Sequence, residues 1–104
     1  MSDIQDTIRQ TVETNRVVLF MKGTKNFPQC GFSQRAVAIL KQCGADFKDV
    51  NVLADPALRD GIKEYSSWPT IPQVYIGGKF VGGSDILLEL HQSGELLKLL
   101  ALPS

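Results

Sequence analysis

Apolar Ile4, Ile8 and Val12 recur one helical turn apart behind Asp3, a good capping residue, and predict an amphipathic helix over 3–14. Arg16 to Met21 reads as a buried strand, and Lys25-Asn26-Phe27-Pro28-Gln29-Cys30-Gly31 as a loop. Phe32 to Gln42 then reads as a helix closed by Cys43-Gly44, with Gly44 suited to a left-handed cap. A second strand is predicted over 47–52. Asp55-Pro56 places an N-cap before a proline at the first helical position and opens a helix to about Tyr65. Trp68-Pro69-Thr70-Ile71-Pro72 interrupts it. Gln73 to Ile76 and Lys79 to Val81 flank Gly77-Gly78, a two-residue hairpin signal because both glycines tolerate positive φ. Gly82-Gly83 leads to Ser84, predicted to cap a helix Asp85 to Gln92, and Gly94 separates that helix from an amphipathic end, Glu95 to Leu102.

The order is αβαβαββαα. Its βαβ part predicts two parallel strands and its hairpin two antiparallel ones, so an α/β chain with a mixed four-stranded sheet flanked by helices is expected. Periodicity does not select one topology within that description. The 104 residues contain no repeat, linker or low-complexity tract, and a single domain over 1–104 is expected.

Composition narrows the partners. Eleven basic residues balance eleven acidic ones, so no field gathers nucleic acid or an anionic membrane, and neither is expected as a partner. The apolar run ending at Met21 is too short to span a bilayer, and Asp3 and Asp6 stand where an export signal needs basic residues. Cys30 and Cys43 are no disulfide framework. A reducing compartment is expected: the cytoplasm, or an organelle interior if a targeting segment has been removed.

Cys30 precedes a predicted helix, where unpaired N–H groups and the helix dipole stabilise the thiolate, the reactive form of cysteine. Position alone leaves a small buried hydrophobe equally open. Lys22, ending the first strand, either adds a nearby positive charge or is merely solvated.

Cys30-Gly31-Phe32-Ser33, together with Met21-Lys22-Gly23, Trp68-Pro69-Thr70-Ile71-Pro72 and Gly82-Gly83-Ser84-Asp85, resembles the motif set of the monothiol, CGFS-type glutaredoxins. The resemblance spans essentially the whole chain and implies a thioredoxin-like fold with an extra N-terminal helix. It implies glutathione as cofactor, with Cys30 as the active thiol and Lys22 beside it, stabilising the thiolate and meeting a carboxylate. Ile71, before a cis Pro72, would offer its backbone to the cysteinyl part of glutathione in the manner of an added strand. Gly83 would allow close approach, the N–H groups of Ser84 and Asp85 would take the γ-glutamyl carboxylate, and Asp85 would accept from the ammonium. Arg59 and Lys63 would lie near the glycine carboxylate. Read without the resemblance, Gly82 to Asp85 is a glycine turn with an ordinary cap, and Arg59 and Lys63 are a solvated face.

Ser33 stands where dithiol relatives carry a second cysteine, which rules out a Cys-x-x-Cys cycle. Ser84 stands where many family members carry another. Cys43 reads as core, since thirteen helical residues separate it from Cys30 by about 20 Å, beyond disulfide reach. Trp68 and Phe27 either cover the site or serve packing. His91 reads as a surface residue and not a ligand, and no metal site within one protomer is expected.

Three functions follow from the resemblance. The first is an iron-sulfur carrier, monomeric without cluster, in which Cys30 from each of two subunits and two glutathione thiols ligate one 2Fe-2S cluster for delivery to acceptor proteins. The second is a glutathione-dependent oxidoreductase using Cys30 alone. The third is an interaction module pairing with a BolA-like protein. Whether the chain is an enzyme stays open at this point.

Overall fold

The structure, a computed structural model, describes residues 4–101. Its elements are α1 (Ile4–Thr14), β1 (Val17–Met21), α2 (Gly31–Gln42), β2 (Lys48–Asn51), α3 (Pro56–Ser66), β3 (Gln73–Ile76), β4 (Lys79–Gly82), α4 (Ser84–Ser93) and α5 (Glu95–Ala101). This is the expected order, with boundaries moved by a residue or so. Positions 3 and 102, the outer limits expected for the terminal helices, lie outside the described residues.

The sheet runs β2-β1-β3-β4. β1 pairs parallel with β2 and antiparallel with β3, which pairs antiparallel with β4. All of β1 is buried, and a strand covered on both faces reads as an unbroken apolar run. Its alternate side chains divide the core. Val17, Leu19 and Met21 join residues of α2, α4 and α5, including Leu40, Leu87 and Leu96. Val18 and Phe20 face the other way, toward Ile8 and Val12 of α1 and Ile62 of α3. The result is a sheet between two helical layers, the thioredoxin-like arrangement with its additional N-terminal helix.

The hairpin glycines take φ 62° and 82° at Gly77 and Gly78, and Gly44 takes 71° just past α2, as expected. One cap differs from expectation. Gly83, not Ser84, is the N-cap of α4, and Ser84 is its first, buried residue. The cause is Gly82, at φ 147°, where a Cβ would fall 2.8 Å from that of Ile86. The chain turns at the glycine pair, so the helix begins one residue early.

α1 seats on α3 at Gly61. A Cβ there would lie 2.9 Å from Ile4 Cγ2 and 3.2 Å from Ile8 Cδ1, and Gln5 Nε2 donates to the Gly61 carbonyl at 2.9 Å. Valine and glycine differ little in helix propensity, so sterics decide a Gly61→Val substitution. We expect a loss of about 1–3 kcal/mol in urea unfolding. An unchanged midpoint would contradict the seating of α1.

Candidate functional site

Cys30 is the N-cap of α2, in extended conformation at φ −151° and ψ 139°. Its side chain forms no capping hydrogen bond, but the free N–H groups of the first turn favour a negative charge there. The Ser33 N–H lowers the thiol pKa most, with smaller help from the Phe32 N–H, the Lys22 charge and the Ser33 hydroxyl, against a desolvation penalty that raises it. Burial alone acts on Cys43 and pushes its thiol up.

The end of β1 is locked to the start of α2. The Lys22 N–H donates to the fully buried Ser33 Oγ at 3.1 Å, and the Lys22 carbonyl accepts from the Gln29 N–H at 2.9 Å. Gly23, at φ 93°, has no room for a side chain, since a Cβ would lie 2.5 Å from the Phe27 carbonyl oxygen. Its N–H donates to Asn51 Oδ1, which also accepts from Leu53 N–H, each at 2.9 Å. Lys25 pins the same loop, its N–H donating to Asp49 at 2.8 Å and its ammonium to the Phe47 carbonyl at 2.7 Å. Asn51 and Lys25 carried no sequence signal, because each contact joins segments distant along the chain. Ser33 stands out in the sequence only as the place of a missing cysteine.

Cys30 and Lys22 open on a cleft of about 460 Å³. Arg59 and Lys63 enter it from α3, one helical turn apart. Ile71 and Pro72 line its middle, joined by a cis peptide bond as the resemblance implies. Gly83, Ser84 and Asp85 close the remaining side at the start of α4. The nine site residues that the resemblance implies thus line one cavity, whereas Phe27, offered as a cover, is exposed and does not line it. Among the described residues, no salt bridge engages Lys22, Arg59 or Lys63. Phe32 and Trp68 line the cleft while 57% and 43% exposed, so its rim is apolar.

The second cysteine differs in detail from expectation. Cys43 caps the far end of α2 and packs on the core, but it is only half-buried. Its sulfur lies 3.6 Å from His91 Nδ1, so His91 is no plain surface residue but a half-buried neighbour of the thiol. No group of three or more His, Cys, Asp or Glu side chains is placed to hold a metal ion among the described residues.

This arrangement can hold an extended peptide with carboxylates at both ends, one by the α3 cations and one by the α4 N–H groups, and a thiol or disulfide beside Cys30. The glutaredoxin family profile matches residues 17–81. Over 93 residues the chain is 60% identical to an uncharacterised monothiol glutaredoxin of Synechocystis, covering 89% of this chain and 87% of that one. It is 57% identical to reduced apo poplar GrxS14, with a TM-score of 0.81 over 91% of this chain and 87% of the other. A buckwheat glutaredoxin-glutathione complex matches at 28% identity and a TM-score of 0.83, covering 93% and 86% of the two chains.

The opposed shifts of the two thiols give a direct expectation. As pH rises, the Cys30 thiolate appears below the ordinary cysteine range and that of Cys43 above it, so iodoacetamide at neutral pH should label Cys30 first. Peptide mass mapping across a pH series checks this. Faster labelling of Cys43 would contradict the assignment of Cys30 as the activated thiol.

Proposed function

The chain belongs to the monothiol glutaredoxin family of the thioredoxin superfamily, and from that premise we propose that residues 1–104 act as one glutathione-binding domain whose Cys30, in two copies of the chain with two glutathione thiols, ligates a 2Fe-2S cluster. The observation that carries this reading is the meeting of a thiolate-favouring Cys30 with a cleft charged for a tripeptide. Arg59 and Lys63 suit the glycine carboxylate, and Lys22 suits both the thiolate and a carboxylate. The Ile71 backbone suits main-chain pairing with the cysteinyl residue. Gly83 gives the ligand room, the Ser84 and Asp85 N–H groups suit the γ-glutamyl carboxylate, and the Asp85 side chain suits the ammonium. The glutathione complex of the buckwheat neighbour supports the same ligand here.

Ligand counting supports the shared cluster. Four thiolates hold a 2Fe-2S centre. One chain brings Cys30 alone to the cleft, because position 33 is serine and Cys43 sits at the other end of α2. The residues therefore fit a cluster only with outside thiols, and a cysteine at an exposed helix start, next to a bound thiol peptide, can meet its counterpart in a second copy. When bound, the cluster would supply a labile iron-sulfur unit for storage, sensing or transfer to acceptor proteins. Without it the chain is monomeric in this reading, and a BolA-like protein is a further candidate partner. Among the described residues no helix is long and apolar enough to cross a membrane. A free thiolate requires a reducing aqueous compartment, which we take to be the cytoplasm or an organelle interior.

The lowered Cys30 pKa also favours a second reading, removal of glutathione from protein thiols. Here the Cys30 thiolate attacks the glutathione sulfur of a mixed disulfide, forming a Cys30-glutathione disulfide and releasing the protein thiolate. A second glutathione thiolate then attacks that bond, leaving oxidised glutathione and the Cys30 thiolate. Ser33 takes no part in exchange.

Anaerobic reconstitution with iron, sulfide and graded glutathione tests the first reading. A coloured dimer should form in wild type and be absent in Cys30→Ser. In Lys22→Ala or Arg59→Ala, half-occupancy should require about fivefold more glutathione, the scale of one exposed charged contact. Assembly in a monomer, or without any thiol, would defeat this reading and leave turnover of a glutathionylated peptide as the function of Cys30.

A further inference from the structure

Among the described residues the buried polar side chains are Ser33, Gln73 and Ser84. Ser84 lines the cleft, and Ser33 serves the junction of β1 and α2 as acceptor for the Lys22 N–H. Gln73 opens β3, opposite Phe20 of β1, and is fully buried. Its Nε2 donates to the Trp68 and Thr70 carbonyls, each at 3.2 Å, and its Oε1 accepts from the Tyr75 hydroxyl at 3.3 Å. A primary amide has two N–H donors, and both are committed to the loop that carries Ile71.

Tyr75, two residues on and so on the same face of β3, fixes the amide in turn. Burial pushes its pKa up to about 12, so the hydroxyl stays a donor. Its ring is wedged between Phe20, Tyr65 and Phe80 at centroid distances of 5.6, 5.9 and 5.5 Å. Phe80 also packs on Trp68 at 5.9 Å, so the loop is held by a ring as well as by carbonyls.

We infer that Gln73 is a positioning residue for the peptide ligand: by holding the carbonyls of Trp68 and Thr70 it aims the Ile71 backbone into the cleft for main-chain pairing with glutathione. The inference rests on the glutathione reading above. Gln73 itself does not line the cleft. Its effect is to remove freedom from the loop before binding, so that the ligand need not order it.

Gln73→Met keeps the bulk and removes both donors, leaving the Thr70 carbonyl to find another partner and the Trp68 carbonyl with only Ser66 Oγ at 3.5 Å. Calorimetric titration of reduced glutathione into cluster-free protein should show binding weakened about tenfold, the effect of losing one or two net hydrogen bonds. The Cys30 alkylation rate should not change, since α2 and Lys22 set it. Tyr75→Phe, which leaves both Gln73 donors in place and removes the hydroxyl from Oε1 and from Ser66, should weaken binding about threefold and guards against failure of the methionine variant to fold. Leu96→Ala, buried in the opposite core cluster, supplies a control with lowered melting temperature and unchanged glutathione affinity. If wild type binds glutathione and both Gln73→Met and Tyr75→Phe bind it equally well, the inference is overturned while the glutathione site stands. An equal loss in Leu96→Ala would overturn it too, by tracing the effect to stability. Absence of binding by wild type would overturn the glutathione reading itself.

Discussion

The site depends on the junction where β1 ends and α2 begins. A helix start leaves backbone N–H groups without partners, and those of Ser33 and Phe32 favour the Cys30 thiolate although its side chain forms no capping hydrogen bond. That interaction needs the strand end, the loop and the helix in register, and the Lys22 N–H on Ser33 Oγ supplies the link. Ser33 is therefore more than an absent thiol. Its hydroxyl accepts from the strand, and together with its own N–H it favours the Cys30 thiolate. A cysteine in that place would be a weaker acceptor for the Lys22 N–H and would open a disulfide route.

The rest of the cleft is arranged around that sulfur by two supports, one on each side of it. α3 brings Arg59 and Lys63, and it is seated by α1 through Gly61, so the N-terminal helix bears indirectly on the cation pair. Gln73 and Tyr75 reach the Ile71 loop from within the sheet and the aromatic cluster. The opposite faces of the cleft thus stand on the same core layer, the one containing Ile8, Phe20, Ile62 and Tyr75. Cys43 and His91 belong with the other layer, beyond the reach of this chemistry.

The sheet was legible in the sequence because β1 is an unbroken apolar run and Gly77-Gly78 tolerates the positive φ that a two-residue hairpin turn needs. The cleft was legible through its motifs: Lys22, Cys30, Arg59, Lys63, Ile71, Pro72, Gly83, Ser84 and Asp85 all reach it. What escaped were polar contacts between segments far apart in the chain. Asn51 on Gly23, Lys25 on Phe47, Cys43 beside His91, and Gln73 beneath its loop have no local pattern, and a buried glutamine in a strand reads simply as an interruption. The cap of α4 is displaced for a different, local reason, the close approach of Ile86, four residues on, to the place a Cβ at Gly82 would take.

On the proposed reading, a chain with one thiolate at its cleft would borrow the remaining ligands of a 2Fe-2S centre, and native mass spectrometry of the reconstituted protein counts them directly. The account predicts a dominant species of two chains, one cluster and two glutathione molecules, with the glutathiones and the cluster lost together on activation. A cluster-bearing species that carries no glutathione, or a single chain that holds the cluster, would contradict it.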